Sequence, residues 1–264
     1  MSPPIVATNR VKKALREGRS VVGTMVVEFR QPSIMQLLAN AGFDFVIIDN
    51  EHGPFNIETI ADLSRSAVQH GLTPIVRVPD WSYPHIAQPL DSGAQGVMIP
   101  RIAEAQQVRD VLEMMKYPPQ GRRGCALARG HTSFQVGPVS EAMAAVNQET
   151  LLIIQLETRQ AVDNLDEIAA VEGLDVLLVG PNDLSISLGV PGQMEDAGFT
   201  RIVQRVVDTC RDRKVFPAIH VNDVNMAVRW VGRGMQMISF SSELGFVMKA
   251  GSEARKTIQE SFKG

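Results

Sequence analysis

The segment GFDFVIIDNEHGPF, Gly42 to Phe55, reads as a helix stop, a buried strand and a polar strand end in immediate succession. Gly42 suits the left-handed conformation that closes helices, and Phe45 to Ile48 is apolar on both faces, as a strand of a parallel sheet is. Asp49, Glu51 and His52 then break the run. The same order recurs in GLTPIVRV from Gly71, GAQGVMIP from Gly93, GLDVLLVG from Gly173 and GMQMISF from Gly234. Each is a helix-to-strand junction. Adding VVGTMV from Val21, LLIIQLE from Leu151 and VFPAIHV from Val215 brings the strands to eight.

Amphipathic segments lie between these runs. NIETIADLSRSAVQH starts a helix after an Asn56 cap, and AVDNLDEIAAV sets Ala161, Leu165, Ile168 and Ala169 on one face. Strands alternating with helices build parallel βαβ units. Eight of them, without a glycine-rich dinucleotide fingerprint after the first strand, predict an α/β fold of the (β/α)8 TIM-barrel kind, one domain over residues 1–264. One long irregular stretch, YPPQGRRGCALARGHTSFQVGP from Tyr117, follows the fourth strand and its helix, and its length predicts a functional loop.

Composition narrows the function classes. No apolar run approaches the ~20 residues of a membrane span, and MSPPIVATNRVKK lacks the features of a signal peptide, so a soluble, cytoplasmic protein is expected. Two cysteines, Cys125 and Cys210, are too few for a disulfide framework and are not spaced as metal ligands. A net charge of -3 with mixed signs carries no footprint for nucleic acid or an anionic membrane. The expected partner is a small molecule.

A barrel carries its chemistry at the C-terminal ends of its strands. Those ends hold Glu28, then Asp49, Glu51 and His52, then Arg77, Arg101, Glu157, Asp183, His220 and the segment from Ser239 to Glu243. Two carboxylates from neighbouring strands, Glu157 and Asp183, repel each other unless a cation or a shared proton lies between them. Mg2+ suits such a pair, because it takes one or two carboxylates and leaves room for water and substrate oxygens. Two other readings stand beside this one: Glu157 pairing with Arg159, and Asp183 capping a helix that starts at Leu184.

His52 is a candidate general base, with Asp49 as the carboxylate that orients it and Glu51 as an outer group accepting from metal-bound water. Arg77 is either a structural ion-pair partner or the cation that neutralises an oxyanion. His220 and Trp81 read as packing or rim residues. None of the seven lysines falls at a strand end, which disfavours a Schiff base. The loops after the seventh and eighth strands lack a glycine-rich phosphate cradle. A metal, an arginine and an Asp/His pair without lysine suit chemistry on a 2-oxo acid.

FDFVIIDNEHGPF, VRVPDWSYPHIAQPLDSGAQGVMIPRI, YPPQGRRG and IIQLETRQAVDNLDEIAAVEGLDVLLVGPNDLS resemble, in order and over nearly the whole chain, the HpcH/HpaI aldolases, which are class II, metal-dependent and pyruvate-specific. The resemblance implies a barrel assembled as a trimer-based homohexamer, with a last helix, about 244–262, exchanged between neighbours. It implies reversible aldol cleavage of 4-hydroxy-2-oxo acids to pyruvate and an aldehyde, with Mg2+, Mn2+ or Co2+. It places the metal on Glu157 and Asp183, the Asp/His pair on Asp49 and His52, and the catalytic arginine on Arg77. It makes Gln155 a substrate-side glutamine and gives the pyruvate carboxylate to the backbone of Gly180, Pro181 and Asn182.

Departures from the family pattern cluster where the aldehyde acceptor is expected: VEFRQP, with Glu28, Phe29 and Arg30, and ARGHTSF, with Arg129 and His131. Arg123 or Arg129 is a candidate for a carboxylate on the acceptor, with a structural ion pair as the alternative. The competing readings are an oxaloacetate decarboxylase or macrophomate-synthase-like enzyme, a CoA-ester lyase of the citrate-lyase type, and a non-catalytic metabolite-binding barrel. Alanine at His52 or Arg77 is expected to cost turnover rather than folding.

Overall fold

In the computed structural model, which describes residues 5–262, all eight expected strands form. They are β1 (Val21–Val26), β2 (Phe45–Asp49), β3 (Thr73–Arg77), β4 (Gly96–Ile99), β5 (Leu151–Leu156), β6 (Val176–Val179), β7 (Phe216–Val221) and β8 (Met237–Ser242). Each pairs in parallel with the next, and β8 returns to β1, closing the barrel. The five junction glycines, Gly42, Gly71, Gly93, Gly173 and Gly234, have φ of 89, 84, 119, 94 and 105°. That left-handed conformation turns each helix directly into the following strand.

Strand alternation divides the core in two. Phe45, Ile47, Ile75, Ile153 and Leu178 fill the barrel, while Val46, Ile48, Val76, Ile154 and Leu177 pack outward against the helices. Helix Arg10–Arg16 closes the foot of the barrel, with Val11 and Leu15 joining the inner cluster. Helix Ile57–Gln69 starts as expected after Asn56, whose side chain accepts from the Thr59 amide at 2.9 Å. The segment after β5 differs from the single helix expected there. It is two short helices, Arg159–Asp163 and Leu165–Ala169, broken at Asn164, whose side-chain amide donates to the Ala103 carbonyl at 2.8 Å. The predicted apolar face survives the break: Ala161, Leu165, Ile168 and Ala169 are all buried.

Two further segments frame the barrel. The stretch from Tyr117 to Pro138 begins at the end of helix Ala105–Met115, so it starts at the foot rather than the mouth. There it lies on the last turn of helix Tyr83–Ser92, with Gly130 against the Ser92 backbone. Helix Glu243–Ser261 leaves the mouth after β8 and has one buried residue, Glu243. Residues 247–262 are all exposed. Among the described residues no helix is long and apolar enough to cross a membrane.

Gly23 on β1 is required for a steric reason, since a Cβ there would overlap the ring of the fully buried Phe45. Overpacking of this kind costs about 1–3 kcal/mol. Gly23→Ala is therefore expected to lower the urea midpoint, and adding Phe45→Leu is expected to restore part of it. An unchanged midpoint in Gly23→Ala would contradict the packing.

Candidate active site at the barrel mouth

Asp49 is the last residue of β2 and Arg77 the last of β3, and the two are partners in the strand register. Both point inward, two residues beyond the interior Ile47 and Ile75. The guanidinium clasps the carboxylate with two bonds, Nε to Oδ1 at 2.8 Å and Nη2 to Oδ2 at 2.7 Å. Its Nη1 lies 3.2 Å from Glu51 Oε2, and Arg101 holds the other Glu51 oxygen at 2.9 Å. Burial pulls the Arg77 pKa down, but the Asp49 bond and the charges of Asp49, Glu51 and Glu157 outweigh it, and the net direction is upward.

Of the two readings of Arg77, the structural ion pair is the one that forms, and the side chain stands in the mouth. The expected Asp49–His52 pairing is corrected. Asp49 Oδ1 accepts the backbone amides of Glu51 at 3.1 Å and His52 at 3.3 Å, and both carboxylate oxygens are bound to Arg77. The His52 side chain is 65% exposed, and its nearest acid is Glu51, 3.9 Å from Nε2. The buried guanidinium competes better for Asp49 than an imidazole on a turn open to water.

Glu157 follows β5. One oxygen accepts the Arg101 amide at 2.7 Å and the other accepts the Gln155 side-chain amide. Arg101 has φ of 60°, uncommon for a side-chain-bearing residue, and this turn aims its N–H at the carboxylate. Burial pushes the Glu157 carboxyl up, with the charges of Asp183 and Glu51 adding to it and the bonds from Arg101 and Gln155 opposing. Neither competing reading of these acids applies. Arg159 donates instead to the Leu188 carbonyl at 3.2 Å, and Asp183 lies in the first turn of helix Pro181–Ser187, whose cap is Gly180.

Three observations bear on whether a cation fits. Glu157 feels the charges of Asp183 and Glu51, while Asp49 is paired with Arg77 and Glu51 with Arg77 and Arg101. Gln155 Oε1 is buried without a hydrogen-bond partner beside Glu157. A Cβ on Gly180 would stand 3.0 Å from Gln155 Nε2 and 3.3 Å from Glu157 Oε2, so glycine keeps this space open. Among the described residues no three His, Cys, Asp or Glu side chains converge on one point. A hard dication on Glu157 and Asp183 fits, its remaining positions going to water and substrate oxygens.

Of the Gly180–Pro181–Asn182 backbone, the Gly180 amide donates to the Leu156 carbonyl at 3.1 Å and proline has no N–H. Asn182 supplies the first free amide, ahead of the first intrahelical bond from Leu184 to Gly180.

Of the two readings offered for the loop arginines, Arg123 takes the structural ion pair, and neither arginine lies at the mouth. Arg123 is 2% exposed; it pairs with Asp91 and lies over the Tyr117 ring, 4.7 Å from its centroid. His131 bonds the Asp91 carbonyl at 3.2 Å, and Arg129 is exposed next to Gly130 at the foot. A loop that follows a helix starts at the end of the barrel away from the strand termini, which sequence spacing alone does not reveal. The Glu28 segment does border the mouth. Its backbone is held by Glu243, which accepts the amides of Val27 at 2.9 Å, Glu28 at 2.7 Å and Phe29 at 3.0 Å. Glu243 and Arg101 stood in the strand-end inventory without these roles, because a carboxylate bound to backbone amides leaves no side-chain motif.

Arg77→Ala would leave the buried Asp49 carboxylate unpaired, which typically costs about 3–5 kcal/mol. It is expected to lower the denaturation midpoint clearly, contrary to the expectation from sequence. His52→Ala, at an exposed position, is expected to leave the midpoint where it is. Equal midpoints for both variants would remove the structural role of the Asp49–Arg77 clasp.

Comparisons with known proteins place this geometry in a lineage. The chain is 36% identical over 202 residues to a 2-keto-3-deoxy-L-rhamnonate aldolase of Escherichia coli, covering 76% of this chain and 73% of the relative. It is 30% identical over 243 residues to a hydroxypyruvate/pyruvate aldolase of Roseobacter denitrificans, covering 92% and 94%. The crystal structure of an HpcH/HpaI aldolase from Desulfitobacterium hafniense superposes with a TM-score of 0.91 at 33% identity, over 94% of this chain and 96% of that one. Residues 24–250 match the HpcH/HpaI aldolase/citrate lyase profile, and the chain belongs to that family.

Proposed function

We propose that the protein is a metal-dependent carbon–carbon lyase that cleaves a 4-hydroxy-2-oxo acid reversibly to pyruvate and an aldehyde. The observation that carries this reading is that Glu157 and Asp183, acids close enough to feel each other's charge, stand beside an arginine clamped by Asp49 and Glu51. The relatives named as aldolases of 2-oxo acids support it.

Glu157 and Asp183 would hold Mg2+, Mn2+ or Co2+, which would supply positive charge beside the 2-oxo group. Arg77, fixed by Asp49 and Glu51, turns its remaining N–H groups to the oxygens that gain charge. His52 takes the proton of the C4 hydroxyl as the C3–C4 bond breaks and the aldehyde leaves. The bonding pair stays on the three-carbon fragment, and a proton returned to C3 completes pyruvate. Because its side chain is 65% exposed, His52 exchanges that proton with water. The Asn182 amide binds the substrate carboxylate over Gly180, and Gln155 holds Glu157 in place.

We also propose that the protein works as a homo-oligomer, a trimer or hexamer, in which helix Glu243–Ser261 lies on a second copy. At about 1.5 Å per residue this helix extends roughly 28 Å, and it carries Leu244, Val247, Met248 and Ile258 exposed. Single exposed apolar residues are ordinary, but a row of them on a helix without a core of its own calls for a partner. The double variant Val247→Glu with Ile258→Glu is expected to sediment as a smaller species than wild type. Identical sedimentation would count against the exchange.

The decisive assay for the lyase reading is exchange of the pyruvate C3 protons in deuterated water, followed by NMR on chelator-stripped protein with and without added Mg2+, Mn2+ or Co2+. Metal-dependent exchange is expected, with loss of at least about a hundredfold in Glu157→Gln and Asp183→Asn. Absence of exchange with every metal would defeat the aldolase reading.

A further inference from the structure

Two buried basic side chains take no part in the steps above. His220 on β7 is tied to Ser239, whose Oγ is 2.9 Å from its Nδ1, and belongs to the mouth. Lys116 lies at the opposite end of the barrel, directly after helix Ala105–Met115, and is 7% exposed. Its Nζ donates to the Asn147 carbonyl at 2.6 Å and the Thr150 carbonyl at 3.1 Å, and among the described residues it has no carboxylate partner. The backbone around it is pinned: the Tyr117 amide donates to Asn147 Oδ1 at 2.8 Å, and the Arg123 amide to the Lys116 carbonyl at 2.9 Å. Lys12, 5% exposed, also donates to the Thr150 carbonyl, at 2.8 Å, and is paired with Asp175 at 2.9 Å. The two amino groups are thus neighbours on one acceptor, and only Lys12 has a counter-charge.

A buried amine without a counter-charge gives up its proton rather than carry it. Burial first, and the charge of Lys12 second, pull the Lys116 pKa down to about 7; Arg123 and Arg16 add to the shift, and Asp175 opposes it. A neutral amine has two N–H groups, which match the two carbonyls, and keeps a lone pair. Lys116 also lines a cavity of about 490 Å3 together with Lys12, Arg16, Gln120, Glu172 and Asp175. Asp175 is engaged by Lys12 and the Leu152 amide, and Glu172 is exposed. This cavity has room for a small electrophile, and Lys12 and Arg16 favour a product that carries negative charge. Carbon dioxide meets both conditions: it is small and uncharged on entry, and it becomes an anion once bound to nitrogen. An acyl group would leave a neutral amide, which gains nothing from the two cations.

We infer that Lys116 is a carbamate site for carbon dioxide, with the carbamate held between Lys12 and Arg16 in the cavity at the foot of the barrel. The Nζ lone pair attacks the carbon, a C–N bond forms as one C=O pair moves to oxygen, and Nζ releases one proton to water. Nothing is oxidised or reduced. The N–H that remains keeps the shorter of the two bonds, to Asn147, and the Thr150 carbonyl keeps its bond from Lys12. The carbamate oxygens accept from the third N–H of Lys12 and from Arg16. The site is at the other end of the barrel from the mouth, and the lyase reading does not enter it.

The test equilibrates the full chain with isotopically labelled bicarbonate, traps carbamates by O-alkylation with a trialkyloxonium salt, and locates the label by peptide mass spectrometry. At about pH 8 an amine of ordinary pKa is neutral in roughly one copy in 250, whereas Lys116 is mostly neutral. Label on Lys116 is therefore expected to exceed that on the exposed Lys13, Lys214, Lys249 and Lys256 by at least about tenfold. Lys116→Arg keeps donors for both carbonyls but stays protonated, and is expected to lose the label at this position. Lys12→Gln removes the nearest cation and is expected to reduce the label on Lys116 severalfold. If either variant does not fold, the wild-type peptide map still decides, because the exposed lysines serve as internal standards. Absence of label from Lys116, or equal label on all the lysines, would overturn the assignment.

Discussion

The clasp between Asp49 and Arg77 is the constraint on which the mouth depends. It joins the ends of two adjacent strands, consumes both oxygens of a carboxylate that is 2% exposed, and leaves the guanidinium rigid with N–H groups to spare. A buried ion pair of this geometry is not primarily a source of stability, since desolvation offsets much of the attraction. Its effect is positional: it locks an arginine at the end of a strand, where a flexible side chain would otherwise sample many rotamers.

From that clasp the negative groups spread outward. Glu51 is shared between Arg77 and Arg101, and the Arg101 backbone in turn binds Glu157. Asp49, Glu51 and Glu157 are thus tied to one another through two arginines. The opposite end of the barrel is built differently. Lys12 bonds the Thr150 carbonyl and Asp175, Lys116 bonds the Asn147 and Thr150 carbonyls, and Arg123 pairs with Asp91. These buried amino and guanidinium groups hold the foot together. The gathering of polar strand-end residues at the mouth follows from the parallel strands, which all deliver their C-terminal residues to one end.

Much of this was legible in the order of residues. A helix-stopping glycine before each of five apolar runs marked the strands, and the first polar residue after each run marked the mouth. The list of strand ends contained Asp49, Glu51, Arg77, Arg101, Glu157, Asp183, His220 and Glu243, all of which the fold brings to one end. It did not reveal which acid each cation chooses. Asp49 lies three residues from His52 and twenty-eight from Arg77, yet the register of β2 with β3 decides the partnership. Arg123 and Arg129, read as either acceptor-side groups or structural ion-pair partners, lie at the foot because their loop starts where a helix ends.

What the sequence by itself determined is periodic or local: the eightfold strand–helix alternation, the glycine junctions, the Asn56 cap and the set of polar residues at the strand ends. These follow from short-range sterics and from the burial of apolar runs, which any window of the chain expresses. Only the tertiary structure decided the pairings: Arg77 with Asp49 rather than His52 with Asp49, the Arg101 amide on Glu157, Glu243 on the amides of the β1 loop, and His220 with Ser239. Hydrogen bonds and ion pairs act over about 3 Å, and which groups come within that distance is set by strand register and barrel closure, quantities that belong to the whole chain.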